Sequence, residues 1–220
     1  PLKWIKERYK SKRFDKRNGK DYEEFRFFVH PSLPVQCEKK ELGLDPYTLG
    51  FWLGDGTTCR GDITTADAEV LEYIPYKHTK HKAKYCYGIE GLTTKLRKVG
   101  VLNNKHIPQT YMFASVEDRV RLLQGLIDSD GHVHKVNRNL SYSTILPQLR
   151  DDVCSLVRSL GGKAKWCNAY TSYESDGEVF HSYTINIWLP DNIKPCRLKR
   201  KAERVQRGQR LKSAIVDIRY

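Results

Sequence analysis

The sequence predicts an α/β domain made by internal duplication and flanked by two basic arms. Three observations lead there. A short helical pattern occurs twice, 75 residues apart; each copy is followed by strands and then another helix; and the excess positive charge sits at the two ends of the chain. At 220 residues the chain can bury a core, and 11% aromatic content sets it apart from disordered sequences despite 30% charged residues. No stretch approaches a membrane span and no signal peptide is visible, so no membrane partner is expected. The six cysteines show no C-x-x-C pairing. They read as reduced and mostly structural, in an intracellular setting, nucleus or cytoplasm.

Residues 22–36 alternate around Tyr22, Phe25, Phe27 and Val29 and predict a strand, ended by Pro31 and Pro34. Asp45 is a good N-cap and Pro46 suits the first helical position, so a helix is expected from there to Asp55, with Gly56 as its stop. A strand is expected from Cys59 to Thr65, a short helix from Asp67 to Tyr73, a strand from Lys82 to Ile89, and a helix from Thr93 to Val99 closed by Gly100. The second unit repeats the order. A helix from Ser115 to Ser129 opens on an acidic capping box, Ser115 with Asp118. A hairpin follows, His132 to Lys135 and Leu140 to Thr144, around Asn137-Arg138-Asn139. The stripe Leu149, Val153, Leu156, Val157 and Leu160 predicts a helix over 146–160, ended by Gly161-Gly162. Two strands, Lys163 to Tyr170 and Val179 to Leu189, flank the turn Glu174-Ser175-Asp176-Gly177. The chain divides into a basic arm and strand (1–43), two halves (44–112 and 113–190) and a basic segment (191–220).

The net charge is +13, distributed as +7 over residues 1–20, −1 over 21–190 and +7 over 191–220. Two such arms can be solvated tails. Because Trp4, Ile5, Tyr9 and Phe14 interleave the first, they read better as phosphate-neutralising segments beside a near-neutral body.

The repeated pattern is Thr48-Leu49-Gly50-Phe51-Trp52-Leu53-Gly54-Asp55-Gly56 and Leu123-Gln124-Gly125-Leu126-Ile127-Asp128-Ser129-Asp130-Gly131. Residues four apart share a helix face, so Gly50 with Gly54 and Gly125 with Ser129 give two matching faces of small residues on which two backbones can approach closely. Either copy alone reads as a buried helix with a glycine stop. Two copies in register, each with Asp before the terminal Gly, bring Asp55 and Asp130 to one shared end. An acid at a helix C-terminus is disfavoured, and two together are worse. A divalent metal relieves both conflicts: hard oxygen ligands suit Mg²⁺, which can activate water and stabilise a leaving oxygen. Paired carboxylates in a basic protein therefore point to metal-assisted hydrolysis of a nucleic-acid backbone.

These two patterns resemble the LAGLIDADG motifs of homing endonucleases, in the two-motif single-chain form. Asp45-Pro46-Tyr47 leading into the first copy, and Leu126-Ile127-Asp128-Ser129-Asp130-Gly131 at the second, look like the version carried by inteins. The resemblance covers roughly residues 22–220. It implies tandem pseudo-symmetric αββαββα repeats, with two saddle-shaped antiparallel sheets over double-stranded DNA. It also implies cleavage of long, rare sites to leave 3′ overhangs, by a monomer lying within or excised from a host protein as part of an intein. Asp55 and Asp130, with Gly54 and Ser129, would hold Mg²⁺ (Mn²⁺ substituting), and no organic cofactor is implied. Lys105, in Asn103-Asn104-Lys105-His106-Ile107-Pro108, is similar to an active-site lysine of intein endonucleases; Lys201 fits the matching place in the second half best, and Lys199 second. The expected role is to stabilise phosphorane charge or position water. Thr48, where the family has an aliphatic residue, is expected to loosen packing slightly. The chain begins at Pro1 without a Met and no splicing nucleophile or terminal His-Asn is present, so it reads as an excised fragment that does not splice by itself.

The expected groove contacts are Arg60, Lys82, Lys84, Lys135, Arg138, Lys163 and Lys165, with His132 and His134, and with Tyr85, Tyr142, Trp166 and Tyr170. His78-x-x-His81 and His132-x-His134 have zinc-like spacing, but no cysteine completes a set and lysines surround them, so they read as surface or DNA-facing. The rival is a LAGLIDADG binding protein that no longer cuts, an RNA maturase or a DNA-binding regulator; the presence of both acids argues against it.

Overall fold

The computed structural model describes residues 2–30, 32–136, 139–172, 179–205, 211 and 213–215. The chain falls into two compact units, Pro1–Ser32 with Arg210–Tyr220, and Leu33–Gln209. In the smaller unit, α1 (Leu2–Arg8) precedes a hairpin of β1 (Lys10–Asp15) and β2 (Lys20–Phe25), followed by the short β3 (Phe28–Val29). Lys10 faces Phe25 and Asp15 faces Lys20, and Gly19 turns the chain with a φ of +66°. Trp4 packs edge-on against Phe27 at 5.4 Å. The strand expected over 22–36 is therefore broken after Phe25 and ends at Val29, before the prolines. The boundary at 43 also moves: the segment from Leu33 belongs to the larger unit, where the Val35 N–H donates to the Ser159 carbonyl at 2.9 Å and the buried Arg119 donates to the Val35 carbonyl.

The larger unit runs α2 (Pro46–Asp55), β4 (Asp62–Thr64), α3 (Glu69–Tyr73), β5 (His78–Lys80), β6 (Cys86–Ile89), α4 (Leu92–Lys98) and α5 (Gln109–Met112). It continues with α6 (Val116–Asp128), β7 (Gly131–Val133), β8 (Leu140–Thr144), α7 (Pro147–Ser159), β9 (Lys163–Ser172), β10 (Val179–Trp188) and α8 (Lys199–Ala202). The two-residue β11 (Ser213–Ala214) returns to the smaller unit and pairs with β3. The duplicated α/β order is present, but the halves differ. The first has a three-stranded antiparallel sheet, β4-β6-β5; the second has four strands, β7-β8-β10-β9. The segment expected to be one strand over 82–89 is instead a hairpin loop, 81–85, leading into β6. Tyr85 closes that loop at φ +65°, a conformation that interrupts the extended run. The turns expected around Asn137-Arg138 and at Glu174–Gly177 lie outside the described residues, as does most of the tail from 206.

Local chemistry accounts for the helix ends. The Asp45 carboxylate accepts from both the Thr48 N–H and its hydroxyl, each at 2.9 Å, so Thr48 is fully buried and serves the cap instead of loosening the packing. Ser115 caps α6 and donates its hydroxyl to the Asp118 carboxylate at 2.7 Å. Gly100 and Gly161 close α4 and α7 with φ of +81° and +77°. Gly56 differs: its φ is −86°, and the constraint is space, since a Cβ there would lie 2.2 Å from the Trp52 ring.

The core forms where α2 crosses α6. A Cβ on Gly50 would lie 2.1 Å from the Leu122 carbonyl oxygen; one on Gly125 would lie 2.1 Å from the Tyr47 carbonyl oxygen. Leu49, Phe51, Trp52 and Leu53 on one helix and Leu122, Leu123, Leu126 and Ile127 on the other are all buried. Among the described residues no helix is long and apolar enough to cross a membrane.

In a helix interior Gly→Ala is ordinarily favourable by about 1 kcal/mol. Here the sign should reverse. Gly50→Ala or Gly125→Ala meets backbone that cannot yield, and urea unfolding should show each losing about 3 kcal/mol. Gly54→Ala, which meets the Ser129 side chain, should lose less.

Candidate active site

The crossing delivers both helix C-termini to one place. A Cβ on Gly54 would sit 2.1 Å from Ser129 Oγ and 3.1 Å from Asp130 Oδ2. Asp55 is partly buried. Burial and then the neighbouring charge of Asp130 push its carboxyl up from 3.8 to about 6, against the pull of Lys201 and Lys105. Asp130 has an exposed side chain, but it stands in a recess where the surrounding protein thins the water. That raises its carboxyl too, opposed by the same two lysines.

Each helix end has its own lysine. Lys105 Nζ donates to the Gly54 and Gly56 carbonyls at 3.0 and 2.7 Å and lies 5.0 Å from the centre of the Trp52 ring. Burial lowers this ammonium from 10.5 to about 8, with Asp130 and Asp55 pulling the other way. Lys201 Nζ donates to the carbonyls of Ile127, Asp128 and Ser129 at 2.6, 2.9 and 3.1 Å and is almost fully buried. Of the two lysines offered by the sequence, Lys201 is the one whose ammonium lies at this helix end. Lys199 is exposed, and Arg200 turns outward to pair with Asp67. The cations that the helix ends call for are thus already supplied by the chain. Lys201 spends all three N–H groups on carbonyls, so it has none left to orient a water; Lys105 keeps one. Gly54 and Ser129 were expected at the metal; the carbonyl of each accepts from a lysine.

Asp128 stands in the second motif where the first has Leu53, a carboxylate in place of an aliphatic side chain. It is buried and accepts from the Tyr47 hydroxyl at 3.0 Å and from the Arg197 and Leu198 N–H groups at 2.9 and 3.2 Å. These bonds fix the chain just before α8 and so aim Lys201 inward. In the sequence the one pointer to this role is a carboxylate standing where the first copy has a leucine. Tyr142 was also misjudged. Expected in the groove, it is fully buried, and its hydroxyl has no hydrogen-bond partner among the described residues. Burial raises its phenol well above the usual value, and the charges of Asp130 and Asp55 add to this.

The strand registers place the other candidates. His132 faces Ser141, which faces Asn186, which faces Lys165, so these side chains share the sheet face opposite the buried Tyr142 and Ile185. Lys163 and His134 have the same parity, and Lys135 follows at the strand end. A recess of about 570 Å³ joins this face to the helix crossing: Ser143, Ala169, Ser182 and Thr184 line it together with Gly54, Lys105 and Asp130. Arg60 precedes β4 and pairs with Asp62 at 3.3 Å. Lys82 and Lys84 lie on the 81–85 loop, not on a strand. Trp166 is turned to the helix side, where Arg150 stacks over it at 4.2 Å. Arg138 and the Tyr170 side chain lie outside the described residues. All six cysteines are free, and Cys59 and Cys167 are exposed rather than structural. His78 and His81 fall on opposite sheet faces, and His81 does have a cysteine beside it, Cys86.

Residues 106–206 match the homing endonuclease family. The replicative DNA helicase DnaB of Mycobacterium intracellulare is 35% identical over 74% of this chain and 26% of its own length. The ATP-dependent DNA helicase Hel308 of Thermococcus kodakarensis is 27% identical over 60% of this chain and 14% of its own. The chain therefore spans about a quarter or less of the curated relatives it matches. Among solved structures, mesophilic variants of the homing endonuclease I-DmoI are similar at 15% identity and a TM-score of 0.44, covering 74% of this chain and 92% of that one. I-DmoI in complex with DNA and Mn is similar at 16% identity and a TM-score of 0.41, covering 66% and 89%. With its two motif helices crossed at their glycines, the chain is similar over residues 106–206 to the homing endonuclease family.

Proposed function

We propose that this chain is a site-specific double-strand DNA endonuclease that uses a divalent metal, preferentially Mg²⁺, at Asp55 and Asp130. The observation that carries the reading is the convergence of these two carboxylates at one end of the helix crossing. Burial raises both above their ordinary range and the charge of Asp130 adds to the rise at Asp55, the condition a divalent cation relieves. Bound there, the metal would lower the pKa of an attacking water and stabilise the leaving oxygen. Lys105 and Lys201 hold the carbonyl ends of the two helices and so fix the carboxylates; the remaining N–H of Lys105 can donate to a phosphate oxygen or a water. The recess gives a backbone lying on the outer sheet face, among His132, His134, Lys163 and Lys165, access to Asp130. Long rare sites and 3′ overhangs are part of this proposal, as is action as a monomer.

The relatives support a second element, that the nuclease lies inside a longer host as part of an intein. Two helicases from distant organisms match over only 26% and 14% of their lengths, the pattern a mobile inserted module produces.

A randomised long-duplex library incubated with Mg²⁺ should yield double-strand breaks at one long site. A chelator should abolish them, and Asp55→Asn with Asp130→Asn should do the same. Selective binding without any cutting would replace the reading with a DNA- or RNA-binding descendant. Lys201→Met should lower the melting temperature, whereas Lys105→Met, at the half-buried lysine with a free donor, should depress cleavage more than stability.

Asp55 carries a pH dependence of definite sign. A proton competes with the cation for a carboxyl raised to about 6, so the metal concentration for half-maximal cleavage should rise about tenfold per pH unit below 6. Without metal, the raised pKa favours the protonated fold. The stability of the chain relative to Asp55→Asn should fall as pH rises from 3.8 through about 6 and level above it. A flat difference would contradict the assignment.

A further inference from the structure

We propose that Asp62, His81 and Cys86 form a transition-metal site, chemically a zinc site, on the outer face of the three-stranded sheet, distinct from the paired acids of the helix crossing. Backbone register alone brings the three together. Asp62 faces Gly88 and Thr64 faces Cys86 across β4–β6; Thr79 faces Gly88 across β5–β6. The His81 N–H donates to the Cys86 carbonyl at 2.9 Å, which extends the second ladder by one pair. With a side-chain period of two, Asp62, Cys86 and His81 all project from the face opposite the buried Ile63 and Ile89. One ligand atom from each lies within 4.8 Å of the other two.

Two further features fit a built site. Gly88 stands between the three, and a Cβ there would come 2.8 Å from His81 Nε2, so the glycine leaves the floor on which the imidazole lies. The Asp62 carboxylate is divided: Oδ2 takes Arg60 at 3.3 Å, while Oδ1 lies 3.5 Å from His81 Nε2 and remains available to a metal. An Asp–His ion pair would account for two of the residues, but not for Cys86 or for the glycine beneath the ring.

The donor set identifies the metal class. A thiolate, an imidazole and a carboxylate suit tetrahedral Zn²⁺, with a fourth position for water, and not Mg²⁺, which takes oxygen. Thiolate and carboxylate together match the charge of the ion, which offsets the repulsion from Arg60, Lys82 and Lys84; the Lys84 ammonium is in any case drawn over the Tyr85 ring at 4.8 Å.

The site also has a structural use. β4, β5 and β6 have only three, three and four residues, whereas β9 and β10 have ten each. Such short strands are weakly held by their own ladders. A metal bridging all three would staple the sheet and hold the 81–85 loop, with Lys82 and Lys84, in one conformation.

Co²⁺ titration of the whole reduced chain tests this directly. The expected result is one equivalent bound with a thiolate-to-cobalt charge-transfer band, displaced by Zn²⁺. Cys86→Ser should remove the band and His81→Ala should weaken binding by more than about 100-fold, beyond what losing an outer-shell partner does. Cys59→Ser, Cys167→Ser and the Asp55→Asn/Asp130→Asn pair should leave the band in place. Circular dichroism of each variant would show that the fold persists, as expected for residues that are not core. No charge-transfer band in the unsubstituted chain, or a band that survives Cys86→Ser, would overturn the proposal.

Discussion

Backbone-to-backbone contact between α2 and α6 is the constraint on which the rest depends. Gly50 and Gly125 each leave room for a carbonyl of the opposite helix at a distance no side chain would permit. The contact sets the helices in register, and their C-terminal ends then coincide. Asp55 and Asp130 meet because the glycines meet. Neither acid would choose this position, at the negative end of a helix and beside a like charge.

The structure offsets that cost with two lysines rather than leaving it to a metal alone. Lys105 and Lys201 arrive from different elements, a loop after α4 and the one-turn α8, yet each places an ammonium against the carbonyls of one helix end. The two are not equivalent. Lys201 is buried and saturated with acceptors, and it depends on Asp128 to hold the preceding backbone. Lys105 is half-buried and keeps a donor. The twofold likeness of the motif helices therefore carries a chemical asymmetry, which the sheets repeat in their three and four strands.

Much of this was legible in the amino-acid order. Asp45-Pro46, Ser115 with Asp118, and Gly100 announce helix ends through short-range chemistry, and the small-residue spacing announces the crossing. Where the expectation failed, tertiary context decided. Alternation over 22–36 could not show that the ladder with β1 ends at Phe25 and that the chain pairs next with β11. The run 82–89 could not show that Tyr85 takes a positive φ and makes a loop. In the basic run 199–201 charge is uniform, and only the turn of α8 selects Lys201. Asp128 and Tyr142 looked like a motif variant and a surface aromatic; their burial follows from which way the backbone faces at β8 and before α8, which single residues do not encode. Cys86 stands five residues from His81 along the chain and opposite it across a hairpin, so a search by linear ligand spacing passes over it.

The central claim is that the glycine crossing makes a single metal-binding locus from Asp55 and Asp130. Anomalous diffraction from crystals of the chain grown with Mn²⁺ tests it most directly. The account predicts manganese within coordination distance of both carboxylates, at the shared end of α2 and α6. Manganese absent from that end, or held by one acid with the other turned away, would contradict it.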